Sequence, residues 1–107
     1  MTNALLDIPK SVKKGEIFTI KIVLSHIMET GYRRDISGKV IPRNIVHALH
    51  CTYDNAVVFK ADLTQAIAAN PYFGFTTTAT RSGPVIFSWR DDEGKTYTQE
   101  SFLQVAD

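Results

Sequence analysis

Cysteine is nearly absent: Cys51 is the only one among 107 residues. A single thiol cannot close an intrachain disulfide, so the chain is not one of the disulfide-stapled secreted scaffolds. Excess charge is also missing. Twelve basic residues face 11 acidic ones, for a formal net charge of +1. That balance argues against a dedicated nucleic-acid binder, which carries a clearly basic face. No apolar run approaches the roughly 18 residues that a membrane-spanning helix needs. Met1 to Lys14 has no apolar core behind a basic start, so no signal peptide is expected there, and physics alone points to the cytoplasm. Phosphate-cradling glycine loops, serine elbows and paired-histidine zinc motifs are lacking too. So are internal repeats, linkers and low-complexity stretches.

What is present is an ordinary globular balance, with 44% hydrophobic and 21% charged residues. The length suits one domain, residues 1–107, with a modest core. The dominant pattern is period-two alternation. Phe18, Ile20, Ile22 and Leu24 fall on one face of 16–25. Ile45, His47, Leu49, Cys51 and Tyr53 share a face of 45–53. Val85, Phe87 and Trp89 alternate with Ile86, Ser88 and Arg90, and a similar pattern runs from Tyr97 to Val105. Turn residues separate these runs: Lys14-Gly15, Ser37-Gly38, Ser82-Gly83-Pro84 and the hairpin loop Asp91-Asp92-Glu93-Gly94. Strands are expected at roughly 4–8, 16–25, 39–41, 45–53, 56–60, 72–80, 84–90 and 95–105. Asp62 to Ala69 reads as one or two helical turns, capped by Asp62 and stopped by Asn70-Pro71. The pattern predicts an all-β, immunoglobulin-like antiparallel β-sandwich of about seven or eight strands, with Trp89 in the core.

Candidate chemistry is sparse. His47 and His50 differ by an odd offset and should point to opposite faces of a strand. His47 and Cys51 share a face but lie roughly 13 Å apart at ~3.3 Å per residue, too far to form a metal site alone. No metal or cofactor is therefore expected. Cys51 has two readings. Activated by a histidine it would be a nucleophile, making the chain a small thiol carrier or enzyme. Its place between Leu49 and Tyr53 predicts a buried core residue instead. The acidic run Asp91-Asp92-Glu93 reads as a solvated turn.

Two stretches stand out as surfaces. Met28 to Arg43 is long for a connection in so small a domain. It mixes Met28, Tyr32 and Ile41 with Arg33, Arg34 and Arg43, residue types enriched at protein interfaces. A solvated loop is the competing reading. In 70–78, Phe73 and Phe75 should pack inward. Gly74, Thr76 and Thr78 would then give a flat, uncharged outer face suited to docking another sheet, with Tyr72, Gly74 and Thr76 as the candidate contacts; an ordinary exposed face of good β-propensity is the equal alternative. A ligand-binding or adhesion sandwich is a third reading, on fold analogy alone.

The pieces in order carry a resemblance. They are Pro9-Lys10-Ser11-Val12-Lys13-Lys14-Gly15-Glu16, Ser25-His26-Ile27-Met28-Glu29-Thr30-Gly31, Arg33-Arg34-Asp35, Ile41-Pro42-Arg43, Ala69-Asn70-Pro71-Tyr72-Phe73 and Ser82-Gly83. Over nearly its whole length the chain resembles the SoxZ family, the smaller subunit of the SoxYZ sulfur-carrier complex of thiosulfate oxidation. Ile27 departs from the family's usual His-Pro-Met-Glu. The resemblance implies a sandwich fold and a non-catalytic scaffold that forms a heterodimer with SoxY. In that family SoxY holds the pathway intermediates on a cysteine within a Gly-Gly-Cys-Gly-Gly arm. This chain ends Leu103-Gln104-Val105-Ala106-Asp107, so Cys51 should not inherit the carrier role. The resemblance also implies a periplasmic location, reached by export with the partner. Contacts with further Sox enzymes through the complex, and self-association of the isolated chain, stay open.

Overall fold

A computed structural model describes residues 4–107. Among them are eight strands and no helix: β1 (Ala4–Asp7), β2 (Ser11–Lys13), β3 (Ile17–Leu24), β4 (Val46–Tyr53), β5 (Ala56–Asp62), β6 (Tyr72–Thr78), β7 (Gly83–Asp91) and β8 (Thr96–Ala106). They form a three-stranded sheet, β1-β3-β6, packed on a five-stranded sheet, β2-β8-β7-β4-β5. Alternation decides which side chains meet between the sheets. Phe18, Ile20, Ile22 and Leu24 of β3 are buried against Leu49, Cys51 and Tyr53 of β4, and against Val85, Phe87 and Trp89 of β7. Phe18 meets Tyr53 edge-on at 5.9 Å, and Trp89 stacks on Tyr97 at 5.8 Å.

Four local expectations are corrected. First, the sandwich is not wholly antiparallel. The chain leaves β1 through Ile8-Pro9-Lys10, crosses to the other sheet and runs parallel to β8 as β2. Second, 39–41 is not a strand: only one isolated bridge joins Arg34 to Val40. Third, Asp62 to Ala69 is not helical. Leu63 is buried and its amide bonds to the His47 carbonyl, so the segment continues off β5 and then turns at Thr64–Ile67. Anchored at both ends and this short, it cannot repay the cost of a helical nucleus. Fourth, the β4 register shifts between Val46 and Ala48. Ile45 and Val46 are therefore both fully buried, and His47 is only half-buried, which the simple alternation did not predict.

The outline is elongated. The principal extents are 61 × 24 × 19 Å and the radius of gyration is 16.3 Å, against about 13 Å for a compact chain of 100 residues. An eleven-residue strand such as β8 reaches only about 36 Å. Residues 29–44, between β3 and β4, belong to neither sheet and form an arm exposed over most of its length.

Candidate partner-binding surface

The arm is built outward from a buried root. After β3, the chain is pinned to the start of β6: the His26 amide donates to Asn70 Oδ1 at 3.1 Å, and the Asn70 amide donates to the His26 carbonyl at 2.8 Å. His26 Nδ1 accepts the Met28 amide at 2.9 Å. Its Nε2 therefore carries the proton and faces Asp91 Oδ2 at 3.8 Å. Met28 has a φ of 51°, a left-handed backbone unusual for a non-glycine residue. That twist turns its side chain inward. Met28 is 4% exposed and its sulfur accepts the Val46 amide at 3.3 Å. The expectation of Met28 as a surface contact is thus corrected: it anchors the root.

Asp91 and Asp92 do structural work here, and the solvated-turn expectation fails for both. Asp91 is 2% exposed. Its Oδ1 accepts the amides of Glu93 and Lys95, and its Oδ2 accepts the Tyr97 hydroxyl. Asp92 accepts Arg43 through both oxygens, at 2.7 and 2.8 Å, and also the Ile45 amide. Partial burial pushes the Asp92 carboxyl up, but the hydrogen bonds from Arg43 and Ile45, with the Arg43 and His47 charges, outweigh it and hold it below the usual range. Glu29 pairs with Asn44 through reciprocal backbone bonds at 2.9 Å, and its carboxylate grips Arg33 at 2.7 Å. The hydrogen bonds from Arg33 keep the Glu29 carboxyl below its ordinary value.

Beyond the root the arm is a stiffened hairpin. The Ile41 amide bonds to the Arg33 carbonyl and the Asp35 amide to the Lys39 carbonyl. Asp35 Oδ1 collects the amides of Ser37 and Lys39 and the Ser37 hydroxyl. Arg34 reaches the Gly38 carbonyl at 2.9 Å. At the tip, Ile36 is completely exposed, at 107%. Tyr32 and Val40 are exposed near it. Since Arg34 sits opposite Val40, alternation places Tyr32, Arg34 and Val40 on one face and Arg33, Asp35, Lys39 and Ile41 on the other. Ile41 is half-buried. Arg33 and Arg43 spend their guanidinium groups on Glu29 and Asp92, so they moor the arm as much as they present charge.

The second surface is the outer face of the three-stranded sheet. Register sets Leu5 beside Val23 and Val23 beside Tyr72, so an apolar row crosses all three strands. Leu5 and Tyr72 are exposed, and Ile27 is exposed in the following turn. A shallow depression of about 250 Å³ lies there, lined by Leu5, Val23, Ser25 and Asn70 among others. Next along β6 come Gly74 and Thr76, both exposed. The Tyr72 ring lies over Gly74: a Cβ on Gly74 would sit 2.9 Å from the Tyr72 hydroxyl. Tyr72, Gly74 and Thr76 therefore do share one open face. The His26–Asn70 tie puts that face at the foot of the arm.

Sequence reading missed Leu5, Ile27, Ile36 and Val40 as exposed apolar groups. Ile36 had a signal, an isoleucine in the polar turn Asp35-Ile36-Ser37-Gly38. Leu5 had none, because which side of β1 faces water depends on its pairing with β3. Cys51 is fully buried, and burial pushes its thiol up to about 12. Among the described residues, no three His, Cys, Asp or Glu side chains gather closely enough to hold a metal ion.

A family model described as "Sulphur oxidation protein SoxZ" matches residues 6–101. The chain belongs to the SoxZ family. No curated protein gives a significant match. Among solved structures, this SoxZ-family chain is similar to the sulfur carrier protein SoxY from Chlorobium limicola f thiosulfatophilum, with a TM-score of 0.69 and 11% identity over 100% of this chain and 82% of that one. It is also similar to a superoxide reductase (neelaredoxin) from Ignicoccus hospitalis, with a TM-score of 0.70 and 12% identity over 98% of this chain and 81% of the other. A putative superoxide reductase from Thermotoga maritima gives 0.73 and 14% over 97% and 86%. At such identities these likenesses establish the shared sandwich and nothing about chemistry. Family membership supports a role in sulfur oxidation.

Proposed function

We propose that this SoxZ-family chain is the non-catalytic subunit that binds a SoxY-type carrier and helps present the carrier's cysteine to the enzymes of thiosulfate oxidation. In this reading it acts in the periplasm, where it arrives with its partner. The family match over residues 6–101 carries the proposal. Two features of the chain agree with it. One is a pair of surfaces available to a partner, the arm and the Leu5–Val23–Tyr72 face. The other is the state of Cys51. A thiolate is the reactive form of cysteine, and a fully buried thiol with its titration moved to about 12 supplies almost none at neutral pH.

The competing reading, in which Cys51 carries the group, makes an opposite prediction for one experiment. The complex is reconstituted with its carrier, turned over with thiosulfate and the pathway enzymes, and both chains are weighed by intact-mass spectrometry. Sulfur adducts are expected on the carrier alone, and Cys51→Ala should leave turnover unchanged. An adduct on Cys51 would establish the thiol-carrier reading instead.

A further inference from the structure

Four strands end the two sheets, and three of those edges are blocked. Exposed edges attract other strands unless they are short, charged, bulged or interrupted by proline. The edge strand β1 ends in Asp7 close to Pro9. β2 has three residues, with Lys13 in it and Lys10 and Lys14 beside it. β5 carries Lys60 and Asp62, and its register with β4 slips between Cys51 and Thr52. β6 is preceded by Pro71, but none of these devices falls within the strand itself. Its seven residues, Tyr72–Thr78, hold no charge and no proline, and they pair with β3 without a slip. Among the described residues its other edge forms no ladder.

A second observation lies at the same place. β5 and β6 are edges of opposite sheets on one side of the sandwich. They are joined there by stacked rings, Phe59 on Phe75 at 4.6 Å and Phe59 near Phe73 at 6.3 Å. All three phenylalanines are only half-buried. Free backbone donors and acceptors thus run beside an incompletely covered aromatic cluster, the combination that strand addition uses.

We propose that β6 pairs with β6 of a second copy of this chain, antiparallel about a two-fold axis near Phe75, making one continuous six-stranded sheet. The sequence of β6 is compatible with itself in that arrangement. Centred on Phe75, the pairing sets Gly74 against Thr76 of the second copy and Tyr72 against Thr78. Phe75 meets its own counterpart beside the two Phe59 rings. No like charges oppose, and like charges are what cross-strand pairing penalises. A closed two-fold of this kind uses the same patch on both copies and so stops at a dimer. Seven paired residues make a seam about 23 Å long, which at a sheet thickness of about 10 Å covers only about 230 Å², well short of the roughly 800 Å² per partner of a standard interface. The dimer is therefore weak and depends on concentration.

Sedimentation equilibrium of the isolated full chain from micromolar to millimolar concentration tests this. The expected result is a reversible monomer–dimer equilibrium. Thr76→Lys, which puts a charge on the paired strand, should weaken the dimer about tenfold or more. Ile36→Asp, at the arm tip, should leave it unchanged. Hydrogen exchange of the wild-type chain provides a readout without mutation: amides in 72–78 should gain protection as concentration rises. A monomer at millimolar concentration overturns the proposal. So does a dimer that survives Thr76→Lys but is lost in Ile36→Asp, or concentration-dependent protection confined to other strands.

Discussion

Replacing Met28 by alanine tests how the arm is rooted. Met28 is 4% exposed, belongs to the main core cluster, and accepts the Val46 amide through its sulfur. Truncating a core methionine to alanine costs about 2–5 kcal/mol, from lost transfer energy and the cavity left behind. The left-handed backbone at 28 strains alanine as it strains methionine, so no relief offsets that cost. A loss of about 3 kcal/mol is expected, near the middle of that range. For a domain of this size that lowers Tm by about 12 °C, at roughly 4 °C per kcal/mol. Met28→Leu keeps most of the volume and should cost under about 1.5 kcal/mol. Urea unfolding followed by the fluorescence of the single, buried Trp89 measures both. If Met28→Ala loses less than about 1 kcal/mol, the side chain is not in the core and the description of the root is wrong. Reduced partner binding at unchanged stability would restore Met28 as a surface contact.

Other consequences can be checked on the isolated chain. Cys51, buried and with its thiol pushed to about 12, should resist maleimide in the native state and react promptly in urea. Tyr53 donates its hydroxyl to the Arg81 carbonyl at 2.5 Å and accepts the amides of Thr80 and Arg81 at 3.1 Å. Tyr53→Phe leaves these backbone groups without that partner and should cost about 2 kcal/mol in chemical denaturation. Asp92 is held below the ordinary carboxylate range in the folded chain. The stability it adds is therefore present above its unfolded value and is lost as pH falls below about 4. Asp92→Asn should flatten that acid limb of the urea-midpoint profile. The Arg43 side chain is 44% exposed, so the cost at neutral pH should be only about 1 kcal/mol.

Much of the sandwich was legible because strand periodicity is a local property. Phe18, Ile20, Ile22 and Leu24 face inward as their spacing requires, and Trp89 lies in the core. What failed was non-local. The bulge that buries both Ile45 and Val46 depends on pairing between β4 and β7. The burial of Asp91 depends on a histidine 65 residues earlier and on the hairpin's own amides. Met28 looked like an interface residue by composition. In the structure a positive φ at Met28, whose amide donates to His26 Nδ1, accompanies its burial. For the surfaces, the loop's length pointed to Tyr32 and Arg34, and alternation in 70–78 placed Tyr72, Gly74 and Thr76 on one side. The apolar row that Tyr72 forms with Val23 and Leu5 needed the strand order β1-β3-β6, which no single segment encodes.

In the function proposed above, this chain works as one half of a carrier complex. The direct test is co-expression with the SoxY-type carrier from the same source, followed by size-exclusion chromatography with light scattering. A stable one-to-one heterodimer is the predicted result, weakened by Tyr72→Asp or Ile36→Asp. Two well-folded chains that elute separately at micromolar concentration would contradict the claim.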